Sequence, residues 1–359
     1  PDTGQNLDPC PVSGQLHAIL LDEDAGADDI YVKHYRLERN CVEINTGGDG
    51  VAVWDDVVVQ GNAEAQKVRV FERNGTTLAL KQVLTPSLQT PDAGFGASVA
   101  IFDDVIVVGA PRDDLLSPVL PDNNCGSVTV FRHNGAVWVE ETKLYSSVCA
   151  NEQLIPLEPA FGTSVAVWQD RIAVGAPNEW GSEATPEVGV VSIFDFNGSN
   201  WSSIPHRIFP SNSAFGDRFG EALDVWNDRL VVGAPYKDGG TGAAYSYTFN
   251  GTNWGGEQQL PLPKIFDIGG QPANLIGYGR DVAVWASTAA VVGDSPQSCG
   301  PVCGGGSGVY LHDGNQWNQT SSFMSAEQLE LSGSTLVSVD SRHLSGGTIQ
   351  LRLHTVRSD

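Results

Sequence analysis

At 359 residues the chain is longer than one ordinary compact domain, which leaves two domains, a barrel or a repeat array. Asp and Glu number 43 against 20 Lys and Arg, a formal charge of −23 that argues against nucleic acid and anionic membrane surfaces as partners. Forty-one Gly and 20 Pro beside 41% hydrophobic residues describe many short strands joined by turns, with no collagen period and no tract suggesting disorder.

Compartment follows from small signals. No run approaches the ~20 apolar residues that span a bilayer, so membrane insertion is not expected. The chain starts at Pro1 without an initiator Met or an apolar leader, and we expect a processed product. Six cysteines, Cys10, Cys41, Cys125, Cys149, Cys299 and Cys303, lie in loop-like contexts. Their order favours the pairs Cys10–Cys41, Cys125–Cys149 and Cys299–Cys303, each closing a local loop, among fifteen possible pairings. Zinc at Cys299 and Cys303 is set aside, because no second Cys or His pair follows nearby. Five Asn-x-Ser/Thr sequons stand at Asn74, Asn197, Asn200, Asn250 and Asn318, and three of these are also Asn-Gly turns. Together these features favour a secreted or cell-surface glycoprotein.

In chain order, one phrase recurs. A degraded copy starts at Gly50, with Val51 to Trp54 and then Gly61. The full form runs from Phe95-Gly96 through Phe102 to Gly109-Ala110-Pro111, again from Phe161-Gly162 through Trp168 to Gly175-Ala176-Pro177, and again from Phe219 through Trp226 to Pro235. Weaker copies follow at Tyr278-Gly279, with Trp285 and Gly293, and at Leu329 to Val339. Each unit adds a second signature: Asn134-Gly135 with Trp138, Asn197-Gly198 with Trp201, Asn250-Gly251 with Trp254 and Asp313-Gly314 with Trp317, Asn74-Gly75 with Leu78 being a variant. The spacing predicts four antiparallel strands per unit. The first hairpin turns at polar pairs such as Asp103-Asp104, the second strand ends at Gly-Ala-Pro, and the Asn-Gly reversal is expected to place both central residues at positive φ. A four-stranded sheet of this size cannot bury both faces alone, and radial packing does so.

These phrases resemble the FG-GAP repeat, the blade unit of the integrin α-chain N-terminal β-propeller. The resemblance covers about residues 50 to 340 and implies an all-β propeller, one domain over 1–359 with an N-terminal extension of about 1–15. Seven blades are expected, with six as the alternative. The seventh is built from an N-terminal partial unit, in which Tyr31 to Leu37 resembles a third strand and Cys41 to Asn45 a fourth. The stretch Thr348 to His354 resembles a third strand with none after it, so the ring is expected to close with strands from both termini. Some family blades bind calcium through an acidic loop; the one candidate here, Asp22, Asp24 and Asp28, is a residue shorter than the family loop, and calcium is the only cofactor the resemblance offers.

Apparent catalytic strings are read as structure. Gly96-Ala97-Ser98 and Gly162-Thr163-Ser164 imitate a nucleophile elbow but no helix follows. The Asp55-Asp56 and Asp103-Asp104 pairs occupy the turn slot, where Gln169-Asp170 and Asn227-Asp228 replace them. The two recurring Trp positions are assigned to packing between blades, with a carbohydrate platform as the alternative. Long connectors, Arg112 to Cys125, Val139 to Ala160, Asn178 to Val188, Ser202 to Arg218, Gly255 to Gly277 and Asp294 to Gly306, emerge on one face, and the tight turns crowd the other. The expected function is therefore a non-enzymatic extracellular adhesion or assembly module that meets a protein partner, or itself, through the long-loop face. The alternatives are a glycan-binding lectin and a polysaccharide-active hydrolase or lyase.

Overall fold

A computed structural model describes residues 17–19, 50–74, 77–88, 90–114, 124–148, 158–182, 187–263, 275–294, 307–323, 328–332, 335–340 and 350–355. Almost all of the regular structure is β. Strand β1 (His17–Ile19) is followed by five antiparallel four-stranded sheets, each ordered as in the sequence. Sheet 1 holds β2 (Val51–Trp54), β3 (Val57–Asn62), β4 (Lys67–Asn74) and β5 (Thr77–Leu84). Sheet 2 holds β6 (Ser98–Phe102), β7 (Val105–Ala110), β8 (Ser127–His133) and β9 (Trp138–Leu144). Sheet 3 holds β10 (Ser164–Trp168), β11 (Arg171–Ala176), β12 (Val190–Asp195) and β13 (His206–Ile208). Sheet 4 holds β14 (Leu223–Trp226), β15 (Arg229–Ala234), β16 (Ala243–Phe249) and β17 (Trp254–Gln259). Sheet 5 holds β18 (Ile276–Trp285), β19 (Thr288–Asp294), β20 (Ser307–His312) and β21 (Trp317–Phe323).

The sixth sheet differs. It contains β22 (Gln328–Ser332), β23 (Thr335–Asp340) and β24 (Gln350–Thr355), and its fourth place is taken by β1, paired parallel to β24. Strands from the two termini thus share a sheet, through a strand that the repeat pattern did not reveal. The partial unit expected at Tyr31 to Leu37 and Cys41 to Asn45 lies outside the described residues.

The second strands of sheets 1 to 5 are buried almost end to end and rich in β-branched residues, as suits strands covered on both faces. The motif residues knit each of sheets 1 to 4 to the next. Phe95, Phe161, Phe219 and Tyr278 are buried at the sheet entrances. A methyl group added at Gly109, Gly175 or Gly233 would fall within about 2 Å of the carbonyl oxygen of Gly162, Gly220 or Gly279, so these glycines let backbone meet backbone between sheets. Ser98 and Ser164 donate their hydroxyls to the carbonyls of Gly162 and Gly220, both at 2.8 Å. These serines are inter-sheet fasteners, in keeping with their structural reading.

The inner strands decide between a ring-like and a stacked arrangement. Trp168 of sheet 3 lies 6.2 Å from Trp54 of sheet 1 and 5.8 Å from Trp285 of sheet 5, ring centre to ring centre. In a straight stack of sheets ~10 Å apart, such residues would be separated by about 20 Å. Trp54, Phe102, Trp168, Trp226 and Trp285 therefore converge on a common axis. The second Trp position is packing too: Trp138, Trp201 and Trp317 are at most 8% exposed.

Two local expectations are corrected. Left-handed residues occur in the first hairpin, at Asp55, Asp103, Gln169, Asn227 and Ala286 (φ 51 to 53°). In the Asn-Gly loops at Asn134, Asn197 and Asn250 only the glycine is left-handed, because each of these loops has four residues and the Asn side chain caps it: Asn134 Oδ1 accepts the N–H groups of Ala136 and Val137, both at 3.0 Å. Several predicted connectors also begin too early, since Val139, Gly255 and the segment His206–Ile208 belong to fourth strands.

Candidate functional site

Beneath the long-loop face, the residue two places after each Gly-Ala-Pro is a buried charge. Asp113 in sheet 2 meets Lys143 at 2.5 Å and accepts from Ser127 Oγ at 2.6 Å and Thr90 Oγ1 at 2.9 Å. Burial opposes its ionisation, yet Lys143, Ser127 and Thr90 together hold its pKa below the ordinary carboxylate value. Glu179 in sheet 3 is fully buried, paired with Arg207 at 2.8 Å and with Ser146 Oγ at 2.6 Å; burial pushes its pKa up against those partners. Sheet 4 inverts the sign: Lys237 is buried and donates to Asp217 Oδ2 at 3.0 Å and to the Asn212 carbonyl at 2.8 Å.

That inverted pair anchors the loop running from Pro210 to Arg218. Glu257 accepts from Ser211 Oγ at 2.7 Å, Tyr245 donates to Asn212 Oδ1 at 2.8 Å, and Asp217 Oδ2 accepts from the Ala214 N–H at 2.7 Å. Gly216 N–H donates to the Glu187 carbonyl at 2.9 Å, tying the tip to the neighbouring connector. A loop fixed at so many points nevertheless holds Phe215 71% exposed, and Tyr236, whose N–H donates to the Asp217 carbonyl of that loop at 3.3 Å, is 54% exposed. The Arg218 guanidinium covers Tyr236 at 4.7 Å from the ring centre, with Glu221 3.7 Å away. The arrangement is a preformed apolar and cationic patch on the long-loop face of sheet 4.

Asp224 breaks the repeat. It stands in β14 where other first strands carry Ala52, Ala100, Ala166 and Ala283. Its Oδ2 accepts the Val284 N–H of sheet 5 at 2.7 Å, and its Oδ1 the Val225 N–H at 2.8 Å. Burial pushes its pKa up to about 7, against the pull of those two backbone donors. Because the folded value lies above the unfolded value of ~3.9, the folded chain binds a proton that the unfolded chain has lost. Stability from this group therefore falls as pH rises from about 4 to about 7 and is flat above that. Asp224→Asn keeps an acceptor for Val284 and removes the charge. Denaturant midpoints should show the variant about 2 kcal/mol more stable than the parent at pH 8, after allowance for the partial exposure of the site, and no more stable at pH 4. Equal differences at both pH values would contradict this assignment.

The other predicted sites fall as follows. Cys125 is fully buried and disulfide-bonded, while Cys10, Cys41, Cys149, Cys299 and Cys303 lie outside the described residues, as do the calcium candidates Asp22, Asp24 and Asp28. No cluster of three or more metal-binding side chains occurs among the described residues. The Asp55-Asp56 and Asp103-Asp104 pairs sit in turns, with Asp56 bound to Arg73 at 2.8 Å and Asp104 to Arg132 at 2.9 Å. Phe215, Arg218, Tyr236, the buried charge position and Asp224 were missed by sequence reasoning. Only the last two left a usable signal, as deviations visible when the repeats are aligned.

The FG-GAP repeat profile matches residues 79–131 and 205–247. Each segment starts at the outer strand of one sheet and ends in the third strand of the next, so the sequence repeat straddles two sheets across the Gly-to-Gly contact. No curated protein matches the chain. Among solved structures it is similar to the computationally designed Ika4 protein, with 15% identity and a TM-score of 0.34 over 56% of this chain and 91% of that one, a likeness too slight to carry an argument. The chain thus carries FG-GAP repeats at residues 79–131 and 205–247, and its converging four-stranded antiparallel sheets are consistent with an FG-GAP β-propeller.

Proposed function

We propose that this chain is a secreted, non-catalytic interaction module that meets an extracellular protein partner through its long-loop face. One observation carries the reading: a loop pinned by a buried ion pair and several hydrogen bonds exposes Phe215, and the same loop's Arg218 stacks over the exposed Tyr236 ring. Aromatic and Arg side chains held in advance of binding lose little entropy on association and dominate interface energies. The recurring tryptophans that would support a carbohydrate platform are engaged in packing at the axis and between sheets. On this reading the Cys125 disulfide joins Cys149 and braces the same face.

The test is proximity crosslinking of the secreted full chain on cell surfaces, followed by affinity measurement with the partner identified. Phe215→Ala with Tyr236→Ala should lower affinity at least about tenfold, as expected for truncated interface anchors, with an unchanged unfolding midpoint. Undiminished affinity would move the contact elsewhere, and saturable binding to a glycan array instead would favour the lectin alternative.

A further inference from the structure

The turn face opposite the proposed partner surface carries the sequons, and the structure separates them. Asn197 and Asn250 occupy the same position of sheets 3 and 4, at exposed tips of the loops between third and fourth strands. In each, the side-chain oxygen is turned inward. Asn197 Oδ1 accepts the N–H of Ser199 at 3.0 Å and of Asn200 at 2.9 Å; Asn250 Oδ1 accepts from Thr252 at 3.0 Å and Asn253 at 2.9 Å. With the oxygen held by the backbone, the Nδ2 group of each makes no hydrogen bond among the described residues, and both residues are exposed. Asn318 differs, since its Nδ2 donates to Asp313 Oδ2 at 2.8 Å. Asn200 differs too: its own N–H serves the Asn197 cap, and the middle residue of its sequon, Trp201, is buried against Phe196.

We propose that Asn197 and Asn250 are N-glycosylation sites, and that their glycans cover the outer turn face of sheets 3 and 4 and leave the long-loop face free. In the transfer, Nδ2 forms a bond to C1 of an oligosaccharide carried on a lipid pyrophosphate. The C1–O bond breaks, the lipid pyrophosphate leaves, and the amide gives up one proton to the transferase. The modified nitrogen keeps its other hydrogen, and the Oδ1 cap is untouched, so the folded turn accepts the sugar without losing a hydrogen bond.

The proposal rests on the secretory reading above, and the experiment separates the two. The full chain is expressed behind a heterologous leader in a eukaryotic secretory host, and peptides are mapped after enzymatic deglycosylation in heavy-oxygen water, which marks each formerly glycosylated Asn as a labelled Asp. Labelling at Asn197 and Asn250 is expected. Ser199→Ala and Thr252→Ala should each remove one glycan from the gel mobility while leaving the unfolding midpoint unchanged, because the cap uses their backbone N–H and not their hydroxyls. Unlabelled Asn at both positions in protein recovered from the medium overturns the proposal. Labelling in this host but not in chain isolated from its native source leaves the site assignment standing and overturns the secretory reading.

Discussion

Gly175→Ala is expected to cost about 3 kcal/mol or more, a large share of the stability of an ordinary folded chain. The added methyl group would lie 2.1 Å from the Gly220 carbonyl oxygen and 2.3 Å from Ser164 Oγ. The first obstacle is backbone of the next sheet and cannot rotate away. The second is the hydroxyl that already donates to that carbonyl, so relieving the clash breaks the fastener between sheets 3 and 4. Gly255→Ala is the control. It is solvent-facing with nothing within 4 Å and no positive φ, and its effect should stay within about 0.5 kcal/mol. Urea unfolding of both variants decides the matter. A cost below about 1 kcal/mol for Gly175→Ala would mean that the sheets can slide apart there, and that Gly-Ala-Pro is not the contact that sets their spacing.

The same glycines show why so much of the architecture was legible. The Phe-Gly and Gly-Ala-Pro phrases recur because the seam between sheets is made of them, so a repeated physical contact left a repeated string. Turns were legible as positions but not as conformations. Asn-Gly marks a reversal in either geometry, and whether the Asn goes left-handed or spends its oxygen on a cap depends on loop length, which the flanking strand register sets. The sixth sheet was half-legible: β24 has an apolar alternation, whereas β1 is three residues long, and its parallel pairing depends on a partner more than 300 positions away. The proposed interaction patch was not legible, because exposure of Phe215 is a property of the folded loop. In the sequence Phe215-Gly216 looks like one more copy of the Phe219-Gly220 phrase that follows it.

The patch depends on a charge pair whose sign is reversed relative to its counterparts, and this leads to the second large effect. Lys237→Met is expected to destabilise the chain by about 3 to 5 kcal/mol, since it leaves Asp217 buried without its cation. Replacing both partners, as Asp217→Asn with Lys237→Met, should cost clearly less than Lys237→Met alone, because a buried neutral pair carries no uncompensated charge. Asp217 has a second role that the double variant exposes: its Oδ2 also accepts the Ala214 N–H, a bond that Asn can keep. The double variant should therefore retain Phe215 in place and bind the partner, whereas Lys237→Met should lose both stability and binding. Sheets 2 and 3 reach the same neutrality with Asp113 and Glu179 against Lys143 and Arg207, partners supplied by their outer strands. In sheet 4 the cation lies just after Pro235 and its acid on the loop before Phe219, so the ion pair ties that loop down. If the double variant instead proves as unstable as Lys237→Met, the cost lies in the lost Lys237 bond to the Asn212 carbonyl, and the loop is held by its backbone and not by charge.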